Sequence, residues 1–144
     1  MTIKEYLSQA VKLDRVIDSA LLRIEEWRRF SLKSHSFLAA GGNRNYGNDS
    51  SVERTVMKIA RTEERLNKDI DNYVDLQEKI QDLIFTLDNL EERALLERHY
   101  LLGQTWEKVA EECFVSLRTV HYIHNKALEK LEPYYAKIKD PEIS

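Results

Sequence analysis

The sequence has few of the residues that break or staple a chain. A single cysteine, Cys113, excludes an intramolecular disulfide and a cysteine-based zinc site. The four histidines, without HExxH-type spacing, give no other metal-binding pattern. Both prolines, Pro133 and Pro141, lie near the C-terminus, and three of the four glycines fall between 41 and 47. Most of the chain therefore carries no breaker and predicts helix, since a multi-stranded fold needs more turn residues. Continuous apolar runs are also missing. The opening MTIKEYLSQAVKLDR carries a charge every few residues, which fits neither a signal peptide nor a membrane span, so a cytoplasmic protein without a membrane partner is expected. No nucleophile with its base, carboxylate pair or metal set stands at workable spacing, so neither an enzyme nor a cofactor is expected.

What is present is charge and helical periodicity. Charged residues make up 33% and hydrophobic residues 42% of 144 residues, enough for one or two small units with much exposed helix surface. The net charge of −3 means that any contact with nucleic acid must come from a local patch rather than from bulk charge.

In the first thirty positions Ile3, Tyr6, Ala10, Leu13, Ile17, Ala20, Ile24 and Trp27 recur in alternating steps of three and four, a heptad seam on one helix. From Ser31 to Ser51 small and polar residues replace the pattern, which predicts a mobile connector. A phosphate-binding loop at Gly41 and Gly42 lacks both the preceding strand and the following Lys-Ser/Thr. Arg28, Arg29, Lys33 and Arg44 in or near this segment have two readings, contact with a DNA backbone and charges of a flexible solvated stretch, of which the second is preferred. Val52, Val56, Ile59, Leu66, Ile70, Tyr73, Leu76, Ile80, Leu83 and Leu87 then mark a second helix from Val52 to about Phe85, roughly 50 Å long. Its stripe needs a partner. An antiparallel hairpin with the first helix and a dimeric coiled coil fit the heptads equally well.

At Asp88 the sequence DNLE predicts a capping-box-like restart, with Leu90, Ala94, Leu95 and Leu101 carrying a short helix to the terminator Gly103. Thr105 is placed to cap the helix TWEKVAEECF, and Ser116 to cap SLRTVHYIHNKALEKLE. Two short helices in close succession have the spacing of a helix-turn-helix. Projected at about 100° per residue, Val120, Ile123, Ala127, Leu128 and Leu131 gather inward, while Arg118, His121, Tyr122 and Asn125 gather outward. An outward face of that composition suits major-groove reading, because arginine forks to guanine and tyrosine or histidine reaches a base edge or phosphate. Over 116–131, Arg118, Lys126 and Lys130 stand against Glu129, a local positive excess within an acidic chain. His124, at the border of the apolar arc, predicts a packed, hydrogen-bonded imidazole. Trp106 predicts a core or interhelix wedge, and Cys113 a small inward hydrophobe.

The run ERALLERHYLLGQTWEKVAEECFVSLRTVHYIHNKALEKLE resembles region 4 of sigma-70-type factors, which recognises the promoter −35 element through a Ser-led helix. It is more similar still to small sigma-region-4-like regulators of phage late genes in Gram-positive bacteria, near the ArpU and RinA proteins. The resemblance covers Leu90 to Leu131, about 42 of the 144 residues. It implies base contacts from Leu117, Arg118, His121 and Tyr122, and phosphate contacts from Thr105, Ser116, Thr119 and Lys126. Phe114 stands where the family's turn usually has Gly or Asn, and a positive φ there would cost Phe about 1 kcal/mol.

The chain is therefore expected to be all-α: a long helical hairpin or coiled coil over 1–87 with a flexible connector at 31–51, then a helix-turn-helix domain over 88–144. By the resemblance, it binds double-stranded DNA as a phage or prophage transcription regulator in the cytoplasm of a bacterial host. The long helices would supply dimerisation or a contact to RNA polymerase. A homodimer would set two reading helices roughly 34 Å or a multiple apart. The alternatives are a protein-interaction module docking on RNA polymerase or another phage protein, and a small terminase-like subunit for DNA packaging.

Overall fold

The structure, a computed structural model, describes residues 1–39 and 46–140. It is all-α. Helices α1 (Ile3–Ala39), α2 (Tyr46–Ile84), α3 (Leu90–Leu96), α4 (Trp106–Glu112) and α5 (Leu117–Lys139) follow one another, with a π-helical turn at Glu97–Leu101 and no strand among the described residues. The chain divides into two compact units. One joins Met1–Leu13 to Tyr73–Ser144, and the other is Asp14–Asn72, so α1 and α2 each contribute to both.

In the first unit, Ile3, Leu7 and Ala10 of α1 share one buried cluster with Ile80, Leu83 and Ile84 of α2. In the second, Ile17, Ala20, Ile24 and Leu66 are buried, and Arg28 of α1 pairs with Glu63 of α2. Within each unit the stripes therefore meet in antiparallel sense inside a single chain. Val56 and Ile70, members of the predicted α2 stripe, are exposed. A straight helix drifts away from a strict heptad seam, and not every seam position finds a partner.

Helix also runs further than the polar composition of 31–51 suggests. α1 continues to Ala39 and α2 begins at Tyr46. No glycine or proline interrupts the stretch before Gly41, and extending an established helix costs far less than starting one. Gly41, Gly42 and Arg44 lie outside the described residues.

The first unit's core is completed by Leu95, Leu96 and Tyr100, by Val109 and Ala110 of α4, and by Val120, Ala127, Leu131 and Tyr135 of α5. α3 starts one residue later than predicted. Asn89, not Asp88, is the cap, its Oδ1 accepting from the amides of Glu91 and Glu92 at 2.9 and 3.1 Å. Of the residues expected to carry this helix, Leu95 is buried and Ala94 and Leu101 are half-buried, but Leu90 is exposed, and Glu92 is buried instead. Gly103 terminates the π-turn with φ +71°, the left-handed conformation glycine adopts without cost. α5 continues past Glu132 through Pro133 to Lys139. Proline in a helix interior removes a backbone bond and costs about 3 kcal/mol. The last turns are held by tertiary contacts: Tyr135 is buried, packs with its ring tilted 41° and 5.4 Å from that of Tyr6, and donates its hydroxyl to the Met1 carbonyl at 2.9 Å.

Candidate nucleic-acid interface

The segment from Thr105 to Lys126 is built by two caps and one turn. The Thr105 hydroxyl accepts from the Lys108 amide at 3.2 Å and starts α4. Ser116 Oγ accepts from the Thr119 amide at 3.1 Å and starts α5, and it also lies 2.9 Å from Thr119 Oγ1. Both predicted caps stand where the sequence put them. All three hydroxyls are exposed, and each keeps hydrogen-bonding capacity beyond its capping bond.

The turn between α4 and α5 has a defined chemistry. Val115 N donates to the Ala110 carbonyl at 3.1 Å and Phe114 N to the Glu111 carbonyl at 3.3 Å, the two bonds of a Schellman motif with Phe114 as its left-handed residue. Phe114 has φ +57° and is 94% exposed. The turn thus takes the conformation that Gly or Asn adopts more easily, and a phenylalanine bears the cost with almost no compensating burial.

α5 divides by face as projected. Val120, Ala127 and Leu131 are fully buried, and Ile123 and Leu128 pack half-buried against the core. Leu117, Arg118, His121, Tyr122, Asn125 and Lys126 are all exposed. Arg118 and Asn125 hold no hydrogen bond or ion pair among the described residues. The Lys126 ammonium lies 5.1 Å from the Tyr122 ring centroid, and its pKa is raised, first by hydrogen bonding to the Tyr122 side chain. These two outward residues therefore act as a pair one helical turn apart.

Local charge is smaller than the sequence count suggests. Lys130 does not face outward with Arg118. Its ammonium reaches Glu92 Oε1 at 2.7 Å, and that carboxylate is only 4% exposed, with Oε2 lacking a partner. Lys130 compensates a buried charge, which leaves Arg118 and Lys126 against Glu129 on the outward face. Count along a helix gives total charge, whereas direction decides which charges a ligand meets.

An aromatic cluster that composition does not reveal packs α5 against the π-turn and α4. Trp106 at the start of α4 stacks on His99 of the π-turn, with centroids 3.5 Å apart and planes inclined by 14°. Its ring also meets His121 and His124 of α5 at 5.7 and 4.5 Å. The Tyr100 hydroxyl lies 2.6 Å from His124 Nε2. Burial holds the His124 pKa down to about 4, helped by the neighbouring His99, Lys4 and His121 charges. His99 is lowered by the same cause, against a 2.8 Å contact from its Nδ1 to the Gln104 carbonyl that favours the charged form. The Tyr100 hydroxyl and a neutral His124 can each donate or accept in this bond, according to the imidazole tautomer. Trp106 is the interhelix wedge expected of it, and His124 is the packed imidazole. His99 was not singled out in the sequence, and its spacing seven residues before Trp106 is the only signal it offers. Cys113 is half-buried against the core.

No protein-family model, curated protein or solved structure matches the chain. No group of side chains suited to a metal ion occurs among the described residues, and no helix there is long and apolar enough to cross a membrane.

Proposed function

We propose that the chain binds double-stranded DNA through the N-terminal half of α5 and acts as a phage or prophage transcription regulator of the sigma-region-4-like kind. The observation that carries the reading is the division of α5. Val120, Ala127 and Leu131 are fully buried on one side, while Leu117, Arg118, His121, Tyr122 and Asn125 are exposed on the other, at the capped end of the helix. Major-groove recognition places base contacts at the start of such a helix. Ser116, Thr119 and Thr105 flank it with exposed hydroxyls, and Lys126 with a cation, for phosphates. With only Arg118 and Lys126 as outward cations, affinity from this face is modest and steeply weakened by salt.

The test is a mobility-shift titration over a salt series, using duplex selected from a random pool. Arg118→Ala is expected to lose about 1–3 kcal/mol of binding and to relax preference at one base position. An Arg118→Ala protein with wild-type affinity and preference overturns the reading role.

A second reading has its own support. Leu21, Leu22, Phe30, Val56 and Met57 are exposed on α1 and α2, and solvent-facing apolar residues favour a protein partner. On this reading the module docks on RNA polymerase or another phage protein, or pairs with a second copy. Binding of purified polymerase without retention of random duplex at low salt supports it over DNA reading.

A further inference from the structure

The unit Asp14–Asn72 carries a groove of about 380 Å3 between α1 and α2. Its cationic lining is Arg23 from α1 and Lys58, Arg61 and Arg65 from α2, with Asp69 as the acid among the lining residues. All four cations are exposed, and none forms an ion pair among the described residues. Trp27 lies half-buried at the groove, with the Arg23 guanidinium 6.0 Å from its ring centroid.

The cations on α2 belong to a longer row. Arg54, Lys58, Arg61, Arg65 and Lys68 follow in steps of four, three, four and three, so at about 100° per residue they project within an arc of about 80°. Over fourteen residues the row extends about 21 Å, roughly one cation per turn. Glu53, Glu64 and Asp71 gather on the neighbouring arc, and Glu63 turns to Arg28. A helix adapted only to solvent gains from opposite charges at i,i+4. Here Arg54 and Lys58, and Arg61 and Arg65, place like charges at that spacing, where they repel, beside the opposite pairs Glu64 and Lys68, and Arg65 and Asp69. A uniform polyanion relieves that repulsion.

We infer that this groove is a phosphate-tracking surface for the backbone of duplex DNA, separate from the α5 face. A row of cations about one helical turn apart suits a duplex, whose strands present regular, closely spaced phosphates, one every 3.4 Å or so of axis per strand. A patchy acidic peptide has no such regularity. Single-stranded nucleic acid is bound by open aromatic faces that stack on bases, whereas Trp27 is half-buried and covered by Arg23. Contacts of this kind position a protein without reading sequence, so the groove adds affinity and salt dependence but not preference.

The test compares the full chain with Lys58→Ala/Arg61→Ala/Arg65→Ala, using a random-sequence duplex of about 20 base pairs across a salt series. Each lost phosphate contact lowers the slope of log affinity against log salt by about 0.9, so the triple variant should lose about 2.7 from the slope. Its affinity at about 0.1 M salt should drop on the order of a hundredfold. The charge-keeping variant Lys58→Arg/Arg61→Lys/Arg65→Lys should retain the wild-type slope, which separates charge from fold. In parallel, Arg118→Ala should change preference and leave most of the slope. A triple alanine variant with the wild-type slope overturns the groove while the α5 reading stands. Tighter binding of a single strand or of polyglutamate than of duplex overturns it as well, and absence of any duplex binding by the wild type overturns both.

Discussion

The Tyr100 hydroxyl and His124 Nε2 share a hydrogen bond of 2.6 Å in the interior of the C-terminal unit, tying the π-turn to α5. Trp106 packs beside both rings, at 6.1 and 4.5 Å, so the cluster joins the π-turn, α4 and α5. An unpaired hydroxyl and imidazole at this site would each bear a desolvation cost. Burial of the imidazole opposes its charged form, which leads directly to a dependence on pH.

His124 falls from its ordinary 6.5 to about 4 in the folded protein. Between those values the unfolded chain binds the proton and the folded one does not, so stability declines as pH falls from 6.5 and the loss is complete near 4. At about 1.36 kcal/mol for each pKa unit, the loss is roughly 3 kcal/mol. His99, also lowered, acts in the same direction. Urea midpoints measured from pH 7.5 to 4 should show the decline, and His124→Leu should flatten most of it. A variant whose midpoints track the wild type over that range defeats the explanation.

Phe114 bears a left-handed backbone with its ring in solvent. Phe114→Asn should raise stability by about 0.5–1 kcal/mol, because Asn tolerates this region and little burial is lost. Phe114→Val, β-branched, should lower it by about 1 kcal/mol or more. Thermal unfolding reports both. Equal melting temperatures for the Asn and Val proteins would show that this backbone stores no strain.

The ion pair of Lys130 with Glu92 belongs to the packed interior of the C-terminal unit. Lys130→Met leaves a buried carboxylate without its partner and should cost about 1–3 kcal/mol in stability, since Lys130 itself is half-exposed. Glu92→Gln should cost less, because the charge to be compensated disappears with the partner's role. Duplex affinity and its salt slope should be unchanged in both. A fall in salt slope for Lys130→Met, measured below its unfolding transition, would return this lysine to the DNA face.

The local features of the C-terminal unit were legible in sequence because short-range chemistry decides them. Thr105 and Ser116 cap because a side-chain oxygen meets an amide three residues on, and Gly103 ends its turn because glycine alone adopts positive φ freely. Val120, Ala127 and Leu131 are buried on the side their spacing indicates. Legibility stopped where two choices were nearly equal in local energy. Asp88 and Asn89 are both good caps and local chemistry does not choose between them, while the inward turn of Glu92 rather than Leu90 is set by the burial of Leu95 and Leu96.

The sequence by itself determined that this is a helical protein, where its C-terminal helices begin, and which side of α5 is greasy, since propensity, capping and period act within a few residues. Tertiary structure alone decided that the long stripes meet within one chain, that α5 persists through Pro133, and that Lys130 is turned toward Glu92. It also brought His99, Tyr100, Trp106 and His124 together, and set Arg23 across from the cationic row of α2. Those outcomes depend on which surfaces exclude water against each other, a property of packed elements that no single helix carries.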